Sequence, residues 1–443
     1  MSESLTNSLR ILFDMQACQT LGSADRGVGR YSSSLLETLG LAAQPREVYV
    51  LTSDELMHDY KPKNINPANI LIAGKLPDWH SPRSYSGGDQ DKLDGIALSS
   101  VCQSIKPDIV HVSHVFEGFG DRVGVFDPLS RTPEQVVSAT LYDLIPLLFQ
   151  EEYFENQEFR RWYYLRIAWL RQADLLLAIS ESTRQDAIRL LGIEPWKIVT
   201  IHGSASDHFQ PPVNRKKTRN YLREKFSLRE KVVLYAGGDD YRKNIRGAIR
   251  GFSKIDSKLR ENTQLVIVCS MQPERKQMYL DDALKQGLRV GDILITGFID
   301  EQDLINFYGI CDVFVFPSLY EGLGLPVLEA MACGAPVIGG DNSSIRELIV
   351  REDALFDSSN DEDIGKRISQ VLIDNTFADD LRSYGLKRAS EFSWERTAEL
   401  SLAAFDDAVI RKRHGSLQCA VHGLLPNKRL AVLSPLPPSR SGI

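Results

Sequence analysis

Two doubly wound α/β domains facing each other across a cleft are the fold this sequence predicts, on three observations. Short apolar runs alternate with amphipathic helical stretches along most of the chain, the pattern of parallel strands joined by crossover helices. The central runs are continuous rather than alternating, as in Asp312-Val-Phe-Val-Phe-Pro317 and Ala173-Asp-Leu-Leu-Leu-Ala-Ile179, so both faces of such strands are covered. At 443 residues the chain is long enough for two ordinary domains. A composition break from His202 to about Leu228, with Pro211-Pro212 and Arg215-Lys-Lys-Thr-Arg219, divides it.

The first domain, residues 1–210, opens with Leu9-Arg-Ile-Leu-Phe-Asp14, a parallel strand. A polar loop and Asp25-Arg-Gly-Val-Gly-Arg-Tyr31 follow, then a helix from about Ser32 to Leu39. Strand, glycine loop and helix are the parts of a phosphate-facing βα unit, although the spacing is not G-x-G-x-x-G. Glu47–Leu51 and Asn69–Ile72 read as the next strands. Residues 74–92, rich in Gly, Ser, Pro and Asp, read as a loop, and Ile96–Ile105 as a helix. Pro107-Asp-Ile-Val-His-Val-Ser-His114 is a buried strand with a histidine at its carboxyl end, where open α/β sheets place ligands. His111, within the strand, reads as core. Val136–Pro146 is a strand running into a loop. The aromatic helical stretch 151–172 supplies core rings, some of which suit an acceptor groove. Leu175–Ile179 precedes a Ser-capped helix, and Lys197–Ile201 is the last strand.

The second domain, residues 211–392, opens with Lys231-Val-Val-Leu-Tyr-Ala-Gly-Gly238 and then Asp239-Asp-Tyr-Arg-Lys-Asn-Ile245, which starts a helix. Arg242 and Lys243 stand where two fixed cations can neutralise a diphosphate, the first as a planar fork and the second as a point charge. Gln264–Cys269 and Asp292–Phe298 are strands, and Asp303–Cys311 is a helix. Ser318-Leu-Tyr-Glu-Gly-Leu-Gly-Leu-Pro-Val-Leu-Glu-Ala-Met-Ala-Cys-Gly-Ala-Pro-Val337 then joins two apolar runs through a glycine turn and a short helix. Glu321 stands just before that helix and Glu329 inside it, two turns along one side of a cleft. Gly322 and Gly324 let a ligand approach the backbone N–H groups.

This last stretch resembles the E-x7-E signature of retaining GT-B glycosyltransferases of family 4, and the similarity covers residues 9 to about 410 with the motifs in order. The resemblance implies two Rossmann-like domains, with a helix (393–415) after Phe392-Ser-Trp-Glu395 crossing back to the first. It places Gly27, Gly29 and Arg30 near donor phosphates and acceptor, and His114 beside the donor sugar. Arg242 and Lys243, with Gly238 at the strand exit, match the diphosphate element, and Gly297-Phe298 the nucleobase contact. Glu321 would orient the sugar, the Gly322-Leu323-Gly324-Leu325 turn would meet the diphosphate, and Glu329 would hold the ribose. Tyr142-Asp143 resembles the family's His-Asp pair on the acceptor side, with Tyr142 departing from the usual histidine.

The chain further resembles the N-terminal module of tandem bacterial polymannose O-antigen mannosyltransferases, which implies GDP-mannose as donor substrate, no separate cofactor and no metal. The acceptor implied is a lipid-linked mannosyl glycan extended at its non-reducing end, and the resemblance leans towards an α-(1→2) linkage. Another nucleotide sugar such as UDP-glucose, a related epimerase and a non-catalytic scaffold are the rival readings. Catalysis would rest on charge stabilisation rather than on a paired-carboxylate glycosidase site.

Charge and composition fit that class. A formal net charge of −7 argues against general nucleic-acid binding. Six scattered cysteines without a C-x-x-C pair read as buried thiols. The first residues lack a signal peptide's apolar core, so a cytoplasmic enzyme is expected, with Arg215–Arg219 as a solvated helix start able to touch an anionic membrane surface. Finally, Lys428-Arg-Leu-Ala-Val-Leu-Ser-Pro-Leu-Pro-Pro-Ser-Arg-Ser-Gly-Ile443 parallels the Leu9–Asp14 strand and its loop, and is read as the start of a second glycosyltransferase module.

Overall fold

The structure, a computed structural model, describes residues 9–24, 26–54, 56–73, 98, 101–102, 104–120 and 123–423. The predicted 74–92 loop and the segment 428–443 lie outside these residues, as do five of the ten residues of the Ile96–Ile105 helix.

Seven strands form the first sheet: β1 (Arg10–Asp14), β2 (Glu47–Ser53), β3 (Ile70–Ala73), β4 (Ile109–Val112), β5 (Val136–Leu141), β6 (Leu175–Ala178) and β7 (Ile198–Thr200). Six form the second: β8 (Lys231–Ala236), β9 (Thr263–Val268), β10 (Ile293–Ile295), β11 (Val313–Phe316), β12 (Val337–Gly340) and β13 (Leu355–Phe356). Their orders are 3-2-1-4-5-6-7 and 10-9-8-11-12-13, with parallel pairing. Both orders reverse beside their first strand, and a crevice opens at the carboxyl ends there. Asp14 and His114 lie on one side of it, and Gly237 to Lys243 and Glu321 on the other. The central strands β5 and β11 are buried throughout, which is why they read as unbroken apolar runs.

One element departs from expectation. The helix after β1 starts at Gly27 and runs to Ala42, so Gly27 and Gly29 occupy its first turn rather than a loop. Two glycines in four residues are a poor helix start by propensity, and tertiary packing overrides it. The Gly29 amide donates to the Ser23 carbonyl at 3.0 Å, and a Cβ on Gly29 would stand 2.3 Å from the Ala24 carbonyl oxygen. The preceding loop folds directly over that turn, and only glycine fits beneath it.

The helix Trp394–Gly423 crosses back as the resemblance implies. Phe405 is fully buried, with its ring edge-on to Phe13 and His111. Charged pairs fix the crossing: Arg46 to Asp406 at 3.1 Å, Lys412 to Asp174 at 2.6 Å and Arg413 to Asp108 at 2.7 Å. The Trp394 ring meets Tyr31 of the Gly27 helix at 4.9 Å between centroids. These contacts weld the helix Trp394–Gly423 to the first domain.

The domains also touch across the crevice. Glu347 accepts the Glu181 and Ser182 amides, at 2.9 and 2.6 Å, at the N-terminus of the helix Glu181–Leu191. A carboxylate there gains from both the unpaired N–H groups and the helix dipole. Tyr320 donates to Asp186 at 2.5 Å, and Tyr153 to Asp240 at 2.6 Å. A Cβ on Gly322 would lie 2.3 Å from the Tyr142 carbonyl oxygen, so the glycine turn itself sits against the first domain.

Candidate functional site

Glu321 is the electrostatic centre of the crevice. Its Oε2 accepts from Arg242 Nη1 at 2.6 Å, and its Oε1 from Lys243 Nζ at 2.7 Å. All three side chains are largely buried, and Glu321 is 4% exposed. Burial alone would raise this carboxyl, but the two cations outweigh it and hold it at about 2. Burial also pulls the Lys243 ammonium below its ordinary value, against the attraction of Glu321.

Local structure explains why the cations converge here. Tyr241–Lys243 forms one 3-10 turn, capped by Asp240, whose Oδ1 accepts the Arg242 amide at 3.1 Å. Asn244 then turns left-handed (φ 53°) and caps the helix Ile245–Ser253 through the Gly247 amide. Arg242 also donates to the Tyr320 carbonyl at 3.2 Å, and the Arg242 carbonyl accepts from the Leu319 amide at 2.7 Å. The basic turn is thereby stitched to the segment that carries Glu321. The triad carries one net positive charge, with the Asp240 carboxylate 3.5 Å from Arg242 Nε beside it.

The second carboxylate behaves differently. Glu329 lies in the helix Leu325–Ala332, buried, with Oε1 accepting from Arg30 Nη2 at 2.9 Å and Oε2 from Tyr308 Oη at 3.2 Å. Burial raises its carboxyl, and Arg30 only partly opposes that. Arg30, expected on the acceptor side, therefore reaches across the crevice to the residue expected to hold a ribose. Its guanidinium also stacks over Phe209, 5.5 Å from the ring centroid. Tyr308 carried no signal in the sequence, since a tyrosine in an apolar helix reads as core.

The other predicted residues divide. His114 stands at the end of β4, with Nδ1 2.7 Å from Glu117 Oε1. Tyr142 is buried, and its hydroxyl turns inward to Ser32 Oγ (2.7 Å) and the Val28 carbonyl (3.3 Å). The phenol thus braces the Gly27 helix. Asp143 is half-buried beside Gly322, with Oδ1 accepting the Ile145 amide at 3.1 Å. Phe298 is 85% exposed, following Gly297 at φ 76°. Gly238 is open, and a Cβ there would meet nothing. Leu323 is buried, Leu325 half-buried, and Gly324 (φ 92°) is the left-handed cap of the Leu325 helix. His111 is core: it bonds Ser138 and Thr140, and burial lowers it to about 3.

With this geometry, comparison with known proteins is informative. Residues 218–388 match the model of glycosyl transferases group 1, and residues 26–205 that of glycosyltransferase family 4. The chain belongs to these glycosyltransferases. It is similar to the serotype-specific mannosyltransferase WbdA of Escherichia coli, 31% identical over 90% of this chain and 48% of the relative. A second WbdA sequence is 35% identical over 78% of this chain and 44% of the relative. The chain thus spans about half the length of these curated relatives. The O-antigen chain mannosyltransferase B of E. coli is 30% identical over 53% of this chain and 61% of the relative.

Solved structures share the GT-B fold of this glycosyltransferase. Sucrose-phosphate synthase from Thermosynechococcus elongatus aligns with a TM-score of 0.66 at 19% identity, over 94% of this chain and 99% of the other. WaaG, a glycosyltransferase involved in lipopolysaccharide biosynthesis, aligns at 0.63 and 15%, over 89% and 98%. Among the described residues no helix is long and apolar enough to cross a membrane.

Proposed function

We propose that this glycosyltransferase moves mannose from GDP-mannose to the non-reducing end of a mannosyl glycan, retaining the α configuration and forming an α-(1→2) linkage. The observation that carries the transfer chemistry is the Arg242–Lys243–Glu321 triad at the carboxyl ends of β8 and β11. The names of the E. coli relatives support mannose as the sugar and an O-antigen glycan as the acceptor class.

In this reading the donor's diphosphate lies on Arg242, Lys243 and the Gly322–Gly324 turn. The bond between the anomeric carbon and the phosphate oxygen breaks, and its electron pair leaves with the diphosphate. An acceptor hydroxyl attacks the oxocarbenium-like centre on the same face and passes its proton to the departing phosphate oxygen. Two fixed cations stabilise the charge that develops on that oxygen, so no divalent ion is required. Glu321 and His114 orient the hexose, and Glu329 with Arg30 borders the ribose. The contacts across the crevice, including Glu347 on the Glu181 helix, exclude water from the reacting centre.

The test is incubation of the purified chain with GDP-mannose and a short α-mannoside. Formation of elongated mannoside with release of GDP supports the proposal. GDP release with an unchanged acceptor points instead to hydrolysis, an isomeric nucleotide sugar without net GDP release to epimerisation, and donor binding without turnover to a scaffold. Transfer from UDP-glucose alone would reassign the donor.

A further inference from the structure

Glu117 is a buried carboxylate for which the scheme above has no use. It lies three residues after His114, at the foot of the crevice, and is 4% exposed. Its Oε1 sits 2.7 Å from His114 Nδ1 and also accepts from Ser23 Oγ at 2.5 Å. Its own backbone carbonyl accepts from Arg166 Nη2 at 3.0 Å, which fixes the carboxylate from behind.

We propose that Glu117 is a positioning residue: it holds the His114 imidazole with the proton on Nδ1 and presents Nε2 to the crevice as an acceptor for a hydroxyl of the donor hexose. The inference rests on the reading of His114 as a donor-sugar contact.

An ionised carboxylate only accepts hydrogen bonds, so the ring nitrogen facing it must carry the proton. In the neutral imidazole the other nitrogen is then an acceptor. Nε2 has no hydrogen-bond partner among the described residues. Ring rotation is also confined: Tyr142 packs edge-on to His114 at 5.2 Å, and Phe116 of the same loop lies at 6.0 Å. The same logic orients histidines by a carboxylate in metal sites and hydrolases.

The carboxylate does a second thing with the same oxygen. Ser23 belongs to the loop that folds over Gly29, and its carbonyl accepts the Arg26 and Gly29 amides at 3.0 Å. Glu117 therefore fastens His114 to the loop that sets the start of the Gly27 helix, and that helix carries Arg30 to Glu329. The histidine and the arginine are placed by one rigid connection.

The titratable groups facing the pair are Asp14, Cys18 and Tyr142. Burial keeps Tyr142 and Cys18 neutral, Cys18 at about 12, while Asp14 is pushed up to about 6. Asp14 would titrate within the range of an activity–pH profile, so the tautomer itself is the readout to take.

Nitrogen–proton correlation spectra of the imidazoles in the full 443-residue chain report it, with His114 assigned by its loss in His114→Asn. The expected wild-type pattern is a proton on Nδ1 and a bare Nε2. Glu117→Ala should move the proton to Nε2. Glu117→Gln, whose amide oxygen still accepts, should keep it on Nδ1 with a weaker hydrogen bond and a proton resonance shifted upfield. GDP release in the transfer assay should fall about 10–100-fold in Glu117→Ala. In a His114→Ala background the same substitution should cost clearly less than it does alone, because residues that act as one unit are not additive; what remains is the loss of its bond to Ser23.

A wild-type His114 with its proton on Nε2 overturns the inference, as does a tautomer unchanged in Glu117→Ala or losses that multiply in the double variant. Should Glu117→Ala not fold, an Nδ1 proton resonance in Glu117→Gln identical to wild type overturns it equally. Transfer left intact by His114→Ala refutes the donor-sugar reading of His114, while the spectra still decide the role of Glu117.

Discussion

Replacing Glu321 by Gln should make the unliganded chain markedly less stable and, at the same time, more responsive to nucleotide. Among the described residues this carboxylate is the only counter-charge hydrogen-bonded to both Arg242 and Lys243, at 2.6 and 2.7 Å, in a largely buried setting. Its depression from 4.5 to about 2 is worth about 3 kcal/mol at roughly 1.4 kcal/mol per unit. Removing one partner of a buried ion pair costs about 3–5 kcal/mol by general experience, so the two routes agree. The sign is fixed by linkage: a depressed carboxyl contributes stability above its unfolded value, and loses it as pH falls through its folded value. Wild type and Glu321→Gln should therefore differ fully at pH 7 and converge towards pH 2.

For a domain of this size about 3 kcal/mol corresponds to a Tm lower by about 6–12 °C. A bound nucleoside diphosphate supplies the negative charge the variant lacks, so saturating GDP should raise its Tm more than it raises that of wild type. Differential scanning calorimetry at pH 7, with and without GDP, reads both effects. Turnover should fall in the same variant, because the group proposed to orient the hexose is gone. A Tm within about 2 °C of wild type, or a smaller GDP shift than wild type, would refute the reasoning.

Other outcomes follow from the same geometry. Arg242→Met should lower the rate of transfer about 10²–10³-fold, as loss of one preorganised charge-stabilising donor does elsewhere, and a loss below 10-fold in a steady-state assay would remove Arg242 from the reaction. Gly322→Ala places a Cβ 2.3 Å from the Tyr142 carbonyl oxygen, which must force the two domains apart. It should reduce kcat by about 10²-fold while circular dichroism stays native, and unchanged kcat would contradict the packing. His111, held neutral by burial down to about 3, makes the fold lose stability as pH falls below about 6.5, where the unfolded chain takes up the proton. His111→Asn should shrink the stability difference between pH 7 and pH 4.5 by up to about 3 kcal/mol in urea titrations, and equal differences in both proteins would oppose this.

The strands were readable because β5 and β11 are covered on both faces and must be apolar at each position. Cap chemistry located one helix start for the same local reason, since Ser180 accepts the Thr183 amide at 3.0 Å, whereas the helix read from Asp303 begins at Glu301, capped by Asp300. Gly27 misled because its helical state comes from a loop lying over Gly29, a contact that propensity does not contain.

The site was legible in its components more than in its pairings. Arg242, Lys243 and Glu321 could be named from a glycine exit and an E-x7-E spacing, and they meet. The Arg30–Glu329 pair joins residues 299 apart in sequence and follows from how two sheets face each other, which no local pattern encodes. Tyr142 shows the converse: a side chain placed at the right loop turned inward, because Ser32 and the Val28 carbonyl satisfy its hydroxyl there. Glu117 left a trace that could have been read, a carboxylate three residues after the strand-end histidine.

The central claim is transfer of mannose from GDP-mannose by fixed protein cations, and mass spectrometry of a short α-mannoside incubated with GDP-mannose and EDTA tests it most directly. Addition of hexose units with EDTA present, shown by linkage analysis to be α-(1→2), is the result predicted. An acceptor of unchanged mass, both with EDTA and with added magnesium, contradicts it.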